Sequence, residues 1–552
     1  MQKVNWQNLL PDYTQFETLN AEFAGIETAH PLMLQPRLTD GVKRLLSTPS
    51  GAGAMLVTAP DNNNYYQLIS DAVTQLHPDM PVVIADNFTP LTLFGAVYPE
   101  KESVTTSQTV KGLVHEAQNG VLIVSLSSLL SQFACWPTLK SLLLNQSLPW
   151  RNADERRFTS LPNPETMQVK LILVGDRGLI SDFESVEPDL FSGLCLYSEF
   201  EQDMKITEDN LLPFIGSVKW YQNQITESQL SQEALYSFMR AGARYAEDQN
   251  RVWLCPMWTK QLLAEANYEA IGEGFITEQH VEAARTARLF RESYLPERAV
   301  EDIFHGQVFI DTEGEQIGQV NGLTVIEMPG HPMAYGEPAR ISCVIHFGDG
   351  DINDVERKAE LGGNIHAKGM MIMQAFVSAA LNLDQPLPYS ASIVFEQSYC
   401  EVDGDSASLA ELCALVSALS NVPIYQRIAV TGAVDQFGRV QAVGGVNEKI
   451  EGFYRICAHR GLTGEQGVIL PESNLSNLCL NKDVIEAVKQ GKFHIWHVSD
   501  VNDAVELLTG LPFGGDEETE TVLDKIADRI DQLHQHDECG LFSRLKNWFV
   551  QN

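Results

Sequence analysis

AMLVTAPDNNNYY, Ala54 to Tyr66, sets a short apolar run against a polar, asparagine-rich turn. Three more runs of the same kind follow: VVIAD (Val82 to Asp86), VLIVSL (Val121 to Leu126) and VKLILVG (Val169 to Gly175). Each leads into a polar or amphipathic stretch long enough for a helix. Continuous Val/Ile/Leu runs joined by helix-length crossovers are the pattern of a parallel sheet buried on both faces. The region from about Ala54 to Phe200 therefore reads as an α/β domain.

Outward from it, Ile206 to Val300 turns helical. SQEALYSFMRAGARYAED and ITEQHVEAARTARLFRESYL place apolar residues three and four apart, as the buried stripe of a helix requires. A third region, from near Val300 to Leu511, mixes the strands ARISCVIHF, ASIVFEQSY and RIAVTGAV with two amphipathic helices and reads as an α+β domain. In the last stretch, Val522, Ile526, Ile530 and Leu533 recur at helical spacing after a Gly- and acid-rich hinge. The closing LFSRLKNWF is read as docking on the rest of the chain in preference to a membrane surface.

The 552 residues carry 38 Lys+Arg against 73 Asp+Glu, a formal charge of -35, which excludes a default nucleic-acid binder. The length suggests roughly two to four domains. A hydrophobic content of 44% supplies real cores. No run of membrane-spanning length and no basic-then-apolar leader is present in the sequence, so a soluble, cytoplasmic protein is expected. The nine cysteines are scattered, with no C-x-x-C and no zinc-type spacing, so neither disulfides nor a metal site is expected.

The chemistry concentrates in VDGDSASLAELCALVSALS, Val402 to Ser420. Leu409, Leu412, Cys413, Val416 and Leu419 share a helical face, which places Ser406 at or just before the helix N-terminus. A hydroxyl there lies beside unpaired N–H groups that would stabilise an oxyanion. It also suits a plain N-cap. In VGGVNEKIEGFYRICAHRG, Val443 to Gly461, Lys449 precedes the apolar Ile450 near a helix start. Burial and the helix dipole would both lower its pKa, as a lysine acting as general base toward a serine requires. The commoner alternative is a solvated lysine paired with a carboxylate such as Glu448.

VDGDSAS followed by VTGAVDQFGRVQAVGGVNEKIEGFYR resembles the proteolytic domain of Lon proteases. GQVNGLTVIEM, ELGGNIHAKGM and RGLTGEQGVILPESN extend the resemblance over roughly Val300 to Gly510. It is closest to the B-type, archaeal-style branch and its bacterial relatives, in which one AAA+ module precedes the protease domain. Asp405 and Ser408 stand where the more familiar branch has proline and glycine; both are compatible with the B-type branch. The resemblance implies Ser406 as nucleophile, Lys449 as general base and the backbone of Gly404, Asp405 and Ala407 as oxyanion donors. Thr431 resembles the family threonine that helps hold the lysine, and Glu396 falls on a strand that in the family lies near the site. His366, in GGNIHAKG, is a candidate for the cleft wall only, and Cys400 is read as packing rather than as a rival nucleophile.

A family member ordinarily draws work from ATP and Mg²⁺, held by a loop of the form G-x-x-x-x-G-K-[ST]. Here APDNNNYY, Ala59 to Tyr66, has no Gly, Lys, Ser or Thr. Gly51 and Gly53 precede the strand, at its wrong end for phosphate. VLIVSLSSLL, Val121 to Leu130, has serines where acids should hold Mg²⁺.

The partition that results is an N-terminal segment (1–35), a degenerate AAA+-like α/β domain (36–204), a helical lid (205–300), a Lon proteolytic domain (301–512), and an acidic hinge with C-terminal helices (513–552). The function expected is a Ser–Lys endopeptidase for unfolded polypeptides, in a homohexameric ring, with no cofactor, nucleic acid or membrane partner. Two rivals stay open: an ATP-dependent protease with a cryptic nucleotide site, and an inactive ring-forming scaffold.

Overall fold

The computed structural model describes residues 2–14, 16, 25–47, 53–99, 107–154, 160–348, 350–381, 388–398, 402–515 and 519–531. It divides into two compact units. The first to be described comprises Phe16–Phe238 and Trp253–Ala284; the second comprises Met1–Gln15, Met239–Val252 and Arg285–Asn552.

The four apolar runs become β1 (Ala54–Thr58), β2 (Val82–Ala85), β3 (Gly120–Ser125) and β4 (Val169–Gly175). A fifth strand, β5 (Cys195–Glu199), completes an all-parallel sheet in the order β5-β1-β4-β3-β2. Successive side chains of a strand face opposite ways, and the packing follows that rule. Leu56, Leu122, Val124, Leu171 and Leu173 enter one core, while Met55, Val57, Val121, Ile123, Ile172 and Val174 enter another. The first core is closed by aromatic residues such as Phe94, Trp136 and Phe183. The second is closed by Tyr65, Tyr66 and Ile69 of α1 (Asn63–Leu76). β5 escaped the sequence reading because it is an edge strand, paired only with β1, and its CLYSE side chains are mostly half-buried or exposed.

The second unit is built on an eight-stranded mixed sheet. Its strands are β6 (Gln319–Ile326), β7 (Tyr335–Phe347), β8 (Ile352–Asp354), β9 (Tyr389–Phe395), β10 (Ile428–Val430), β11 (Gly467–Pro471) and β12 (His494–Val498), with the short N-terminal strand Gln2–Lys3. From one edge the order is Gln2–Lys3, β12, β11, β10, β6, β7, β9, β8. Residues 205–300, read as one lid, contribute to both units. Met239–Val252, which includes the end of α2 (Gln232–Ala246), packs with the second. The N-terminal residues join it too: Lys3 pairs with Trp496, Leu9 is buried, and its carbonyl accepts from the Leu480 N–H at 3.0 Å.

Three helices of this unit concern the site: α3 (Asn364–Leu381), α4 (Ser408–Ser420) and α5 (Val446–Arg460). α4 was read as having one apolar face; in fact every residue from Ser408 to Ser420 is buried. Its Leu409, Leu412 and Val416 pack with Ile428, Val430 and Ile469 on one face of the sheet. α5 covers the opposite face, where Val446, Ile450 and Phe453 meet Ala429, Val468 and Leu470. A helix at 522–531 adds Val522, Ile526 and Ile530 to the α4 core. Arg529 donates to the carbonyls of Ala418 at 2.6 Å and Leu419 at 3.2 Å, at the C-terminal end of α4. Leu533 and LFSRLKNWF lie outside the described residues. Among the described residues no helix is long and apolar enough to cross a membrane.

α5 comes very close to β7. A Cβ on Gly336 would lie 2.0 Å from the Glu448 carbonyl oxygen and 2.6 Å from the Lys449 nitrogen, and one on Gly452 would lie 2.1 Å from the Gly336 oxygen. The clash is with backbone, so no rotamer change relieves it. Gly336→Ala is expected to cost about 1–3 kcal/mol or more by urea unfolding. Gly444→Ala, where nothing lies within 4 Å, should stay within about 0.5 kcal/mol of the parent.

Candidate active site

Ser406 occupies a turn ahead of α4, whose N-cap is Ala407, with no side-chain capping bond. The N-cap alternative for Ser406 is thereby removed. The turn begins at Gly404, whose φ of +132° lies in a region that side chains disfavour. It is fixed by backbone on both sides: the Ser406 carbonyl accepts from Gly432 N–H at 2.9 Å, and Leu409 N–H donates to the Gly432 carbonyl at 3.1 Å. Among the described residues the amides of Asp405, Ser406 and Ala407 donate to no protein acceptor. They are therefore free N–H groups beside the serine, at the positive end of a helix.

Thr431 follows directly on β10 and is fully buried. Its hydroxyl reaches the Ser406 carbonyl at 3.3 Å, so its recorded bond steadies the serine turn rather than the lysine. Glu396 lies one residue past β9. It accepts from the Ser342 hydroxyl at 2.8 Å and lies 4.0 Å from Arg340, both on β7. Among the described residues no hydrogen bond or ion pair joins it to Ser406 or Lys449.

Lys449 lies in the first turn of α5 and is 3% exposed. Burial pulls its pKa from 10.5 down to about 8; the charges of Glu448 and Asp405 oppose that shift. The charge of Asp405, in the serine turn, acts on Lys449, and among the described residues no hydrogen bond joins Ser406 to Lys449. The pairing of Lys449 with Glu448 does not occur. Glu448 instead accepts from Arg244 at 2.7 Å, and the same guanidinium holds Glu451 at 2.6 Å. Sequence reasoning missed Arg244 because it lies on α2, far from Lys449 along the chain.

His366 does not line an open cleft. It is 2% exposed and faces Asp354 at 3.2 Å and Glu411 at 3.8 Å. Burial lowers its pKa, but the carboxylates of Asp354, Glu411 and Glu356 outweigh that and raise it; burial pushes Glu411 up to about 7. Cys400 lies outside the described residues.

In the parallel sheet, the loop after β1 has Tyr65 and Tyr66 at the Lys and Ser/Thr positions of a phosphate-binding loop, and it carries a carboxylate, Asp61. Asp61 accepts from the Ser125 hydroxyl at 3.0 Å, from Ser127 N–H at 2.9 Å and from the Tyr66 hydroxyl. It thereby occupies the donors at the end of β3. Asn62 caps α1 through Asn64 N–H, and Gly53 lies at the start of β1, where its carbonyl accepts from Leu171. These residues do not fit a triphosphate with Mg²⁺: the loop offers a negative charge, and no acid stands at Ser125, Ser127 or Ser128.

The comparisons with known proteins agree with this layout. Residues 308–509 match the family described as "Lon protease (S16) C-terminal proteolytic domain", residues 78–201 match "LonB-like, AAA domain", and residues 229–291 match "Archaeal LonB, AAA+ ATPase LID domain". The chain belongs to the Lon protease family, with an AAA-like domain preceding the proteolytic domain. It is 42% identical over 590 residues to a "Putative Lon protease homolog" of Escherichia coli (strain K12), covering 100% of this chain and 99% of that one. A protein of the same description from Haemophilus influenzae is 37% identical over 92% of this chain and 89% of its own. The "Archaeal Lon protease" of Archaeoglobus fulgidus is 25% identical over 72% of this chain and 61% of its own.

Two outcomes follow for Lys449. Its pKa is lower folded than unfolded, so at neutral pH the charged lysine weakens the fold, fully below about 8 and not at all above 10.5. Lys449→Met should therefore raise the thermal midpoint at pH 7 by a few degrees (~2–4 °C per kcal/mol), and calorimetry should find the gain shrinking toward pH 10. Asp405 raises the pKa of Lys449, so Asp405→Asn should move the lysine's titration, followed by NMR of labelled lysine, to lower pH.

Proposed function

We propose that the chain is a serine endopeptidase of the Lon type, with Ser406 as nucleophile and Lys449 as general base. The observation that carries this reading is a buried lysine poised near neutrality while its neighbouring carboxylate is turned to Arg244. Neutral Lys449 takes the proton of the Ser406 hydroxyl as Oγ bonds to the scissile carbonyl carbon. The free amides around Asp405 to Ala407 receive the resulting oxyanion. The ammonium of Lys449 returns the proton to the leaving amine as the C–N bond breaks, leaving an acyl-enzyme. Water, with its proton taken by Lys449, then releases the acyl group and restores Ser406. Thr431 acts as a positioning residue through the Ser406 carbonyl.

The AAA-like domain is read as lacking nucleotide turnover, because the loop Ala59 to Tyr66 has neither the glycines nor the lysine that hold phosphate and adds the negative charge of Asp61. Substrates are then unfolded polypeptides that enter without a motor. A homohexameric ring and a cytoplasmic location belong to the same reading and rest on the family resemblance.

Casein cleavage by the parent, Ser406→Ala and Lys449→Met, each with and without Mg-ATP, tests this. Loss of at least about 10³-fold in kcat/KM in both variants is expected, with no ATP effect and no phosphate release. The parent's rate should fall below a limb near pH 8, and Asp405→Asn should move that limb to lower pH. Mg²⁺-dependent ATP hydrolysis would overturn the motorless reading. Absence of cleavage by the parent under every condition would favour the scaffold.

A further inference from the structure

Behind the serine turn, four ionisable side chains converge in the interior: His366 from α3, Glu411 from α4, Asp354 from the end of β8 and Glu356 from the short helix Val355–Lys358. They are 2%, 1%, 8% and 4% exposed. One ligand atom each from Asp354, Glu356 and His366 lies within 4.8 Å of the others, and Glu411 Oε1 is 3.8 Å from His366 Nε2.

Each carboxylate of the first two is half-used by backbone. Asp354 Oδ1 accepts from Arg357 N–H at 3.3 Å, and Glu356 Oε1 accepts from Phe395 N–H at 2.9 Å. Asp354 Oδ2 and His366 Nε2 face each other at 3.2 Å, while Glu356 Oε2 and Glu411 Oε1 are buried without a hydrogen-bond partner. Unpaired buried polar atoms are costly, and two gathered at one point are rare. Three carboxyl groups face one imidazole here, and a bound cation would give the two unpaired oxygens the partner they lack.

We propose that this cluster is a structural site for one divalent transition-metal ion, Zn²⁺ or Mn²⁺, bound by His366 Nε2 and by oxygens of Asp354, Glu356 and Glu411. Ligand atoms held ~2.0–2.2 Å from a tetrahedral ion lie about 3.3–3.5 Å apart, and the His366–Asp354 separation of 3.2 Å is close to that spacing. One imidazole among carboxylates suits these ions, and no thiolate is required. The backbone bonds that hold the second oxygens of Asp354 and Glu356 would orient the ligands from behind.

Such an ion joins three separate elements to the start of α4. α3 already touches the serine turn: Gly363 N–H donates to the Val402 carbonyl at 2.9 Å, and Ile365 N–H to Asp403 at 3.2 Å. The ion would fix this support without touching substrate.

Metal content tests the site independently of the peptidase reading. The full-length chain, loaded with Zn²⁺ or Mn²⁺ and dialysed, should hold about one ion by plasma mass spectrometry, and its thermal midpoint should fall when a chelator strips the ion. Glu411→Gln and Asp354→Asn should each lower retained metal at least about tenfold and abolish the chelator effect. A parent chain that retains neither ion, with no thermal response to either, overturns the proposal. So do both variants binding as tightly as the parent. Metal retained by a parent that cleaves no casein sinks the peptidase reading alone and supports this one.

Discussion

Everything near the serine depends on one constraint: a helix surrounded on all sides by protein. A helix exposed on one face can shift to relieve a poor contact, but α4 has no such freedom. Its polar residues must be satisfied from within. Ser417 accepts from Gly318 N–H and donates to the Val422 carbonyl, Ser420 bonds back to Val416, and Ser408 accepts from Val434 N–H. Arg529 closes the carbonyl end, while the N–H groups at the other end lack intrahelical partners, as in any α-helix. The free amides beside Ser406 lie just ahead of that end, in the turn that opens at Gly404 and is held by Gly432.

The lysine is prepared differently. A low pKa needs burial and the absence of a close counter-charge, yet the residue before Lys449 is a glutamate. Arg244 resolves the conflict by binding Glu448 and Glu451 together. The acid next in sequence is consumed as part of a triad, and its influence on the lysine falls. Such a partly buried triad contributes little net stability; its value lies in setting the charge at its neighbour.

How much of this the sequence could reveal follows from how far each feature reaches along the chain. β1 to β4 were legible because burial on both faces writes an uninterrupted apolar run, whereas β5, at an edge, leaves no such trace. Ser406 and Lys449 stood out in the sequence because each lies near the start of a helix within a recognisable motif. That the two helices cover opposite faces of one sheet was not legible, since both write the same apolar period. Arg244, and the grouping of Asp354, Glu356, His366 and Glu411, join residues from separate elements with no fixed spacing. The two-residue strand Gln2–Lys3 is too short to show any period, so the attachment of the N-terminus to the proteolytic domain's sheet was invisible.

Asp61 has a consequence of another kind. Its carboxylate serves the loop after β1 and the end of β3 at once, through Ser125 and Ser127. Removing Asp61 would free the Ser127 N–H, and acids introduced at Ser125 or Ser127 would face its carboxylate and repel it. The loop and the end of β3 are therefore coupled: a change toward a Mg²⁺ site at the strand is unfavourable while Asp61 remains.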